Sequence, residues 1–208
     1  IGMGAGKLSL SSKPQDMPTK QAAAAVGQCE LMYTYDKLFS EYNHTVAQIL
    51  ITGADMENPE RHRNFKNTLN RLLELGVLPI INENDTVVTD EIGVGDNDTL
   101  GAIVTESIKA DMLILLSDID GLYTADPHKD ASATLIRRVE ELSDDIMCLG
   151  GDKVTEFGTG GMATKLTAAK ICMNAGADTV IANGANPEVL YDIFEGKSVG
   201  TLFKGAKK

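Results

Sequence analysis

The sequence has no run of the roughly 20 apolar residues that a membrane-spanning helix needs. Its longest apolar stretches, such as Val77 to Ile81 and Met112 to Leu116, have the length of buried strands. Cysteine is scarce: Cys29, Cys148 and Cys172 are odd in number and far apart, which excludes a disulfide framework and a paired-cysteine metal knuckle. All three are expected to be buried thiols. The histidines, His44, His62 and His128, share no metal-ligand spacing and no serine or cysteine partner pattern, so no metal ligand is assigned. Basic residues are few, 19 against 30 acidic ones, and the formal net charge of −11 opposes broad contact with nucleic acid or anionic lipid. The partners expected are small molecules or proteins. An anionic ligand must be met locally by a lysine, by backbone amides or by a divalent metal. The opening Ile1-Gly2-Met3-Gly4 has neither the basic nor the apolar region of a signal peptide, so a cytoplasmic protein is expected.

What is present describes an ordinary globular chain. A hydrophobic fraction of 43% with 24% charged residues excludes disorder, collagen and coiled coil as whole-chain descriptions. A length of 208 residues allows one sizeable core, with burial of roughly 70% of the unfolded chain's surface.

Helical and strand patterns alternate along the sequence. Apolar residues at helical spacing run from Lys20 to Tyr42, and Val46 to Thr52 follows as a short buried strand. Asn58 and Pro59 open a helix that runs to Leu75 and is stopped by Gly76, and Val77 to Asn82 is the next strand. Glu83 to Gly95 reads as a functional loop holding one β-like run, Thr86 to Thr89. Thr99 to Lys109 is helical, Asp111 to Ser117 is a hydrophobic strand, and Leu135 to Val139 is a candidate short one. Met162 to Ala175 is an amphipathic helix closed by Gly176, followed by a strand at Thr179 to Ala182, a helix at Pro187 to Phe194 and a last strand at Thr201 to Phe203. This order predicts an α/β fold with a mainly parallel sheet covered on both faces, its ligands at the carboxyl ends of the strands. No repeat, linker or domain boundary is visible.

Three segments carry chemistry. Gly158-Thr159-Gly160-Gly161-Met162-Ala163-Thr164-Lys165 leads into a helix, so free backbone N–H groups, the helix N-terminus and one full charge converge where phosphate would fit. A plain linker is the competing reading. The spacing is neither that of a P-loop nor that of a dinucleotide fingerprint. Asn82-Glu83-Asn84-Asp85 ends a strand, and Gly95-Asp96-Asn97-Asp98 precedes a helix. The first reads as a ligand loop or an Asx-rich turn, the second as a ligand loop or an N-cap with Asp98 as the capping residue. Ser117-Asp118 ends the hydrophobic strand before Asp120-Gly121-Leu122-Tyr123. They could reach a ribose or an adenine edge, or form a turn with no ligand.

In that order, VLPIINENDTVVTDEIGVGDNDTLGAIV, LILLSDIDGLYTADP, EFGTGGMATKLTAAKICMNAGADTVIANG and GTLF resemble the glutamate 5-kinases of the amino acid kinase superfamily over essentially the whole chain. The resemblance implies a three-layer α/β/α sandwich over residues 1–208 and transfer of phosphate from ATP, with Mg2+, to the γ-carboxylate of L-glutamate. The product is L-glutamyl 5-phosphate, the first step of proline biosynthesis. It implies Lys165 and Asp98 as catalytic residues, Asp98 organising the lysines, and Asn82, Asp85 and Asn97 as glutamate-binding residues. It further implies Ser117, Asp118 and the run Thr159, Gly160, Gly161, Met162, Ala163, Thr164 and Lys165 at the nucleotide. Proline as a feedback inhibitor, a homodimer or homotetramer and association with glutamate-5-semialdehyde dehydrogenase also follow from it. The alternatives are an acetylglutamate kinase-like or uridylate kinase-like member, or a non-catalytic nucleotide-binding module. Members open with a strand, a glycine loop bearing a further lysine, a helix and a strand ending in Ser-Gly-Ala. This sequence is expected to lack that portion, and a PUA domain as well.

Overall fold

The computed structural model describes residues 1–10, 12, 14–88, 94–127, 129–151 and 161–206. They form two compact units, Ile1–Gly95 and Asp96–Lys208.

The first unit opens with a short helix, α1 (Gly2–Lys7), laid against the long α2 (Met17–Ser40). The Asp16 carboxylate accepts from Thr19 N–H at 2.9 Å and caps α2, which therefore starts three residues before the expected Lys20. Small residues on α2 have a definite use. A Cβ at Gly4 would lie 1.7 Å from the Ala23 carbonyl oxygen, and one at Gly27 would lie 2.8 Å from the Gly4 amide nitrogen. The alanine-rich face of α2 is thus filled by the chain's own α1.

After α2 come β1 (Val46–Ile51), α3 (Gly53–Glu57), α4 (Pro59–Glu74) and β2 (Leu78–Glu83). Thr52 and Asp55 form a capping box on α3, and the Thr52 hydroxyl bonded to Asp55 holds that carboxyl below its ordinary range. Asn58 caps α4 through Glu60 and Arg61, as Asn58-Pro59 foretells. The strands β1 and β2 pair in parallel, Val46 opposite Leu78 and Ile51 opposite Glu83, so Asn82 and Glu83 emerge at the carboxyl end of this sheet. The expected β-like run is not a strand over its described part. Asp85 to Val87 form a turn, with the Val87 and Val88 amides bonded to the Asn84 carbonyl, so local asparagine chemistry overrides the β-propensity of Val87 and Val88. Thr89 lies outside the described residues.

The second unit contains α5 (Asn97–Ile108), β3 (Met112–Ser117), β4 (Arg138–Val139), α6 (Asp144–Cys148), α7 (Met162–Ala175), β5 (Asp178–Asn183), α8 (Val189–Phe194) and β6 (Thr201–Phe203). Its sheet has the order β3-β5-β6-β4, with β3/β5 and β4/β6 parallel and β5/β6 antiparallel. Both faces are covered. Ile181 and Leu115 pack with Ala102 of α5 and Leu166, Ala169 and Cys172 of α7, whereas Val180 and Ala182 pack with Ile193 of α8. Period-two alternation with both sets apolar is what a strand buried on two sides requires. The expected three-layer α/β/α arrangement is therefore found in this unit. The candidate strand at Leu135 to Val139 shrinks to Arg138–Val139, with Leu135 in a lone antiparallel bridge to Tyr123. Gly176 ends α7 at φ +89, a left-handed conformation that costs glycine little.

Only one cysteine matches its expectation. Cys172 is fully buried and its thiol is pushed up by desolvation, whereas Cys29 and Cys148 are exposed. Cys29 lies on the outer side of α2 and Cys148 ends the short α6, positions that composition cannot distinguish from core. We expect peptide mass mapping after brief iodoacetamide treatment to show Cys29 and Cys148 modified and Cys172 untouched until the protein is unfolded. Equal modification of all three would contradict the packing of α7.

Candidate active site

The carboxyl end of β2 places a polar cluster beside α1 and α2. Asn82, Asp85, Gln28 and the first residues of α1 line a cavity of about 320 Å³ in the first unit. Asn82 is held on both sides: its Oδ1 accepts from Glu83 N–H at 2.9 Å and its Nδ2 donates to Gln28 Oε1 at 3.0 Å. Glu83, which sequence reasoning left without a role, binds backbone. Its carboxylate accepts from the amides of Val94 and Gly95, closing the polar loop onto the strand end. A carboxylate bonded to amides eleven and twelve residues onward leaves no periodic trace in a sequence.

The second unit holds the other cluster. Asp96 caps α5, its carboxylate accepting from Thr99 N–H at 2.8 Å and from the Thr99 hydroxyl at 2.9 Å. The expectation that Asp98 is the cap is thereby corrected. Asp96 has the extended backbone of an N-cap, and Asp98, the second residue of the helix, is left free for other work. Asp98 Oδ2 accepts from Lys165 Nζ at 3.0 Å and lies 2.9 Å from the Thr164 hydroxyl. That hydroxyl is also 2.7 Å from the Gly161 carbonyl and, having one proton, donates to one of the two at a time. Lys165 is 7% exposed. A buried ammonium needs a paired anion, and Asp98 supplies it. Asn97 is exposed on the first turn of α5.

At its amino end, α7 has Gly161 as its N-cap, a residue with no side chain to cap the first turn, and Lys165 is the fourth residue of the helix. A helix amino end with a lysine in its first turn suits an anion such as phosphate. Met162, Ala163 and Thr164 belong to this turn, whereas Thr159 and Gly160 lie outside the described residues.

A rim at the carboxyl ends of β3 and β5 completes this unit. Ser117 and Asn183 are partners in register, and the Ser117 hydroxyl donates to Asp118 at 3.2 Å. Asp120 accepts from Asn183 Nδ2 at 2.8 Å and from the Tyr123 hydroxyl at 3.2 Å. Desolvation first, and the bond to Asp120 second, push the Tyr123 phenol up and keep it a neutral donor. Asp120 and Asn183 line an open cavity of about 360 Å³ with Asn186 and Asp192. Neither Asp120 nor Asn183 was singled out from sequence. The in-register ends of two parallel strands are the signal that could have found them.

The amino acid kinase family model matches residues 3–183. The chain belongs to the amino acid kinase family. Among relatives, the glutamate 5-kinase of Clostridium tetani is 56% identical over 207 residues, covering all of this chain and 78% of the relative. That of Clostridium perfringens is 48% identical over 211 residues, with the same coverage. That of Thermoanaerobacter sp. (strain X514) is 50% identical over the whole chain, which spans 56% of the relative. Solved structures of the family fold are similar at low identity. The isopentenyl phosphate kinase of T. acidophilum in its product complex has a TM-score of 0.61 at 18% identity, covering 97% of this chain and 78% of that one. The UMP kinase of Ureaplasma parvum has 0.62 at 14% identity, covering 98% and 77%. Those likenesses establish the fold. Within it, Gly161 precedes α7, and two acidic-amide segments end β2 and open α5. Among the described residues no helix is long and apolar enough to cross a membrane.

Proposed function

We propose that this protein is an ATP-dependent glutamate 5-kinase, transferring the γ-phosphoryl group of ATP to the γ-carboxylate of L-glutamate. The observation that carries the reading is the buried Lys165–Asp98 pair at the amino end of α7, in a chain all of which aligns at 56% identity with 78% of a glutamate 5-kinase.

A glutamate γ-carboxylate is anionic at neutral pH, so its oxygen attacks the γ-phosphorus without a general base. A new P–O bond forms as the bond to the β-phosphate oxygen breaks, and ADP departs with that electron pair. Lys165 Nζ is assigned to offset the negative charge that spreads over the transferring group. Asp98 holds Lys165 in place, and the α7 amides orient the phosphates. Asp85 is assigned to the substrate ammonium, Asn82 and Asn97 to its polar contacts, and Ser117 and Asp118 to the nucleoside.

Among the described residues no group of three or more His, Cys, Asp or Glu side chains could cage a metal ion. Mg2+ is proposed to enter with the nucleotide, since this ion is commonly held by phosphates, water and one or two carboxylates. When bound it would neutralise charge on the phosphate oxygens. Proline inhibition, a homodimer or homotetramer, association with glutamate-5-semialdehyde dehydrogenase and a cytoplasmic location are proposed on the family resemblance.

The test is a coupled ADP assay on the full-length protein with L-glutamate, N-acetyl-L-glutamate and UMP as acceptors, with hydroxylamine trapping of the acyl phosphate. Glutamate-dependent ADP release with hydroxamate formation is expected. Faster turnover of N-acetyl-L-glutamate or UMP, or none with glutamate, would overturn the assignment.

A further inference from the structure

The amide orientations around Asn82 settle which group of Gln28 is left over. Asn82 Oδ1 accepts from the Glu83 amide, a bond that only the oxygen end of a carboxamide can make. The Asn82 nitrogen therefore points to Gln28 and donates, and the Gln28 atom that receives it is the oxygen, Oε1. That leaves Gln28 Nε2, which is buried and has no hydrogen-bond partner among the described residues. An unpaired buried donor is costly, and native structures keep few of them without a use. Gln28 lines the same cavity as Asp85. Its lining thus includes a residue with an unspent donor just behind the surface, the Asp85 carboxylate, which can only accept, and Glu83, whose carboxylate is already bonded to the Val94 and Gly95 amides.

We propose that Gln28 is a specificity-determining residue of the acceptor site, its Nε2 donating to the α-carboxylate of the amino acid whose α-ammonium binds Asp85. The inference rests on reading the protein as a glutamate kinase and deepens it. A donor and an anion on one small cavity complement the two opposite charges of a zwitterionic head group. Nε2 is sealed from solvent, so in this proposal the amide turns toward the cavity to meet the carboxylate. The Asn82 contact, made through the other end of the same amide, keeps Gln28 in register. Gln28 accordingly selects a free α-carboxylate over an α-carboxamide, which brings its own N–H groups toward a donor.

The experiment compares full-length wild type with Gln28→Glu, which keeps the acceptor for Asn82 and replaces the donor by an anion. The acceptors are L-glutamate and L-isoglutamine, which retains the γ-carboxylate but carries an α-carboxamide. The variant is expected to raise KM for L-glutamate about tenfold or more, to leave KM for ATP within about twofold, and to shift preference toward L-isoglutamine by about tenfold. A preference unchanged within about twofold would overturn the proposal, because a residue that merely braces Asn82 weakens both acceptors alike. Where Gln28→Glu does not fold, the Gln28 side-chain NH2 resonances of 15N-labelled wild type supply the answer. They shift on saturation with L-glutamate if the proposal holds, and resonances that stay in place overturn it. Wild type without glutamate turnover overturns the kinase assignment, and this inference with it. Turnover in wild type without a change in preference removes the Gln28 role alone.

Discussion

Lys165→Ala is expected to lower kcat for glutamate phosphorylation by at least about a hundredfold while the protein remains folded. Removing one preorganised charge donor at a transition state costs about 3 to 4 kcal/mol, which corresponds to that loss. Folding should tolerate the change, although breaking a fully buried ion pair costs about 3 to 5 kcal/mol. Asp98 here retains a contact to the Thr164 hydroxyl, and its side chain is 18% exposed, so water can reach the orphaned carboxylate. Lys165→Met, which keeps most of the buried stem without the charge, separates the two effects. It should melt close to wild type and be as slow as the alanine variant. The readouts are steady-state kinetics and a thermal melt by circular dichroism. Retention of more than about a tenth of wild-type kcat, a loss below about 1.4 kcal/mol, would show that Lys165 is a structural partner of Asp98.

Asp85→Ala is expected to act on the other substrate. An ionic hydrogen bond to the glutamate ammonium is worth about 1.5 to 3 kcal/mol, so KM for L-glutamate should rise about tenfold to a hundredfold with KM for ATP within about twofold. Asn97→Ala should act in the same direction and less strongly, because a neutral amide loses less when removed. Asp96 makes a useful contrast. Its carboxylate caps α5 through Thr99, so Asp96→Ala should lower the melting temperature through loss of about 1 kcal/mol of capping. Equal rises in both Michaelis constants for Asp85→Ala would remove that residue from the acceptor site.

These two experiments probe features that were legible to different degrees. Asp98 and Lys165 were singled out through motif likeness, yet the bond between them joins residues 67 positions apart, and spacing alone allowed Asp98 to be a mere helix cap. The extended backbone at Asp96 decided that question. Asp85 and Asn82 were legible as polar residues at a strand end. Their neighbour Glu83 looked like one more member of the cluster until the loop's path brought the amides of Val94 and Gly95 to its carboxylate.

Local chemistry determined the parts of this protein that depend on neighbours in sequence. Short apolar runs of strand length set β1, β3 and β5, Asn58-Pro59 set the start of α4, and Gly176 set the end of α7, because strand, cap and left-handed turn each act within a few residues. Tertiary structure decided the rest. Burial of Cys172 but not Cys29 or Cys148, the use of Gly4 and Gly27 for a close helix contact, the Lys165–Asp98 pair and the unspent donor of Gln28 all depend on which surfaces meet. Whether a thiol is desolvated, a charge paired or a donor satisfied is set by distances across space, and no periodicity along the chain encodes them.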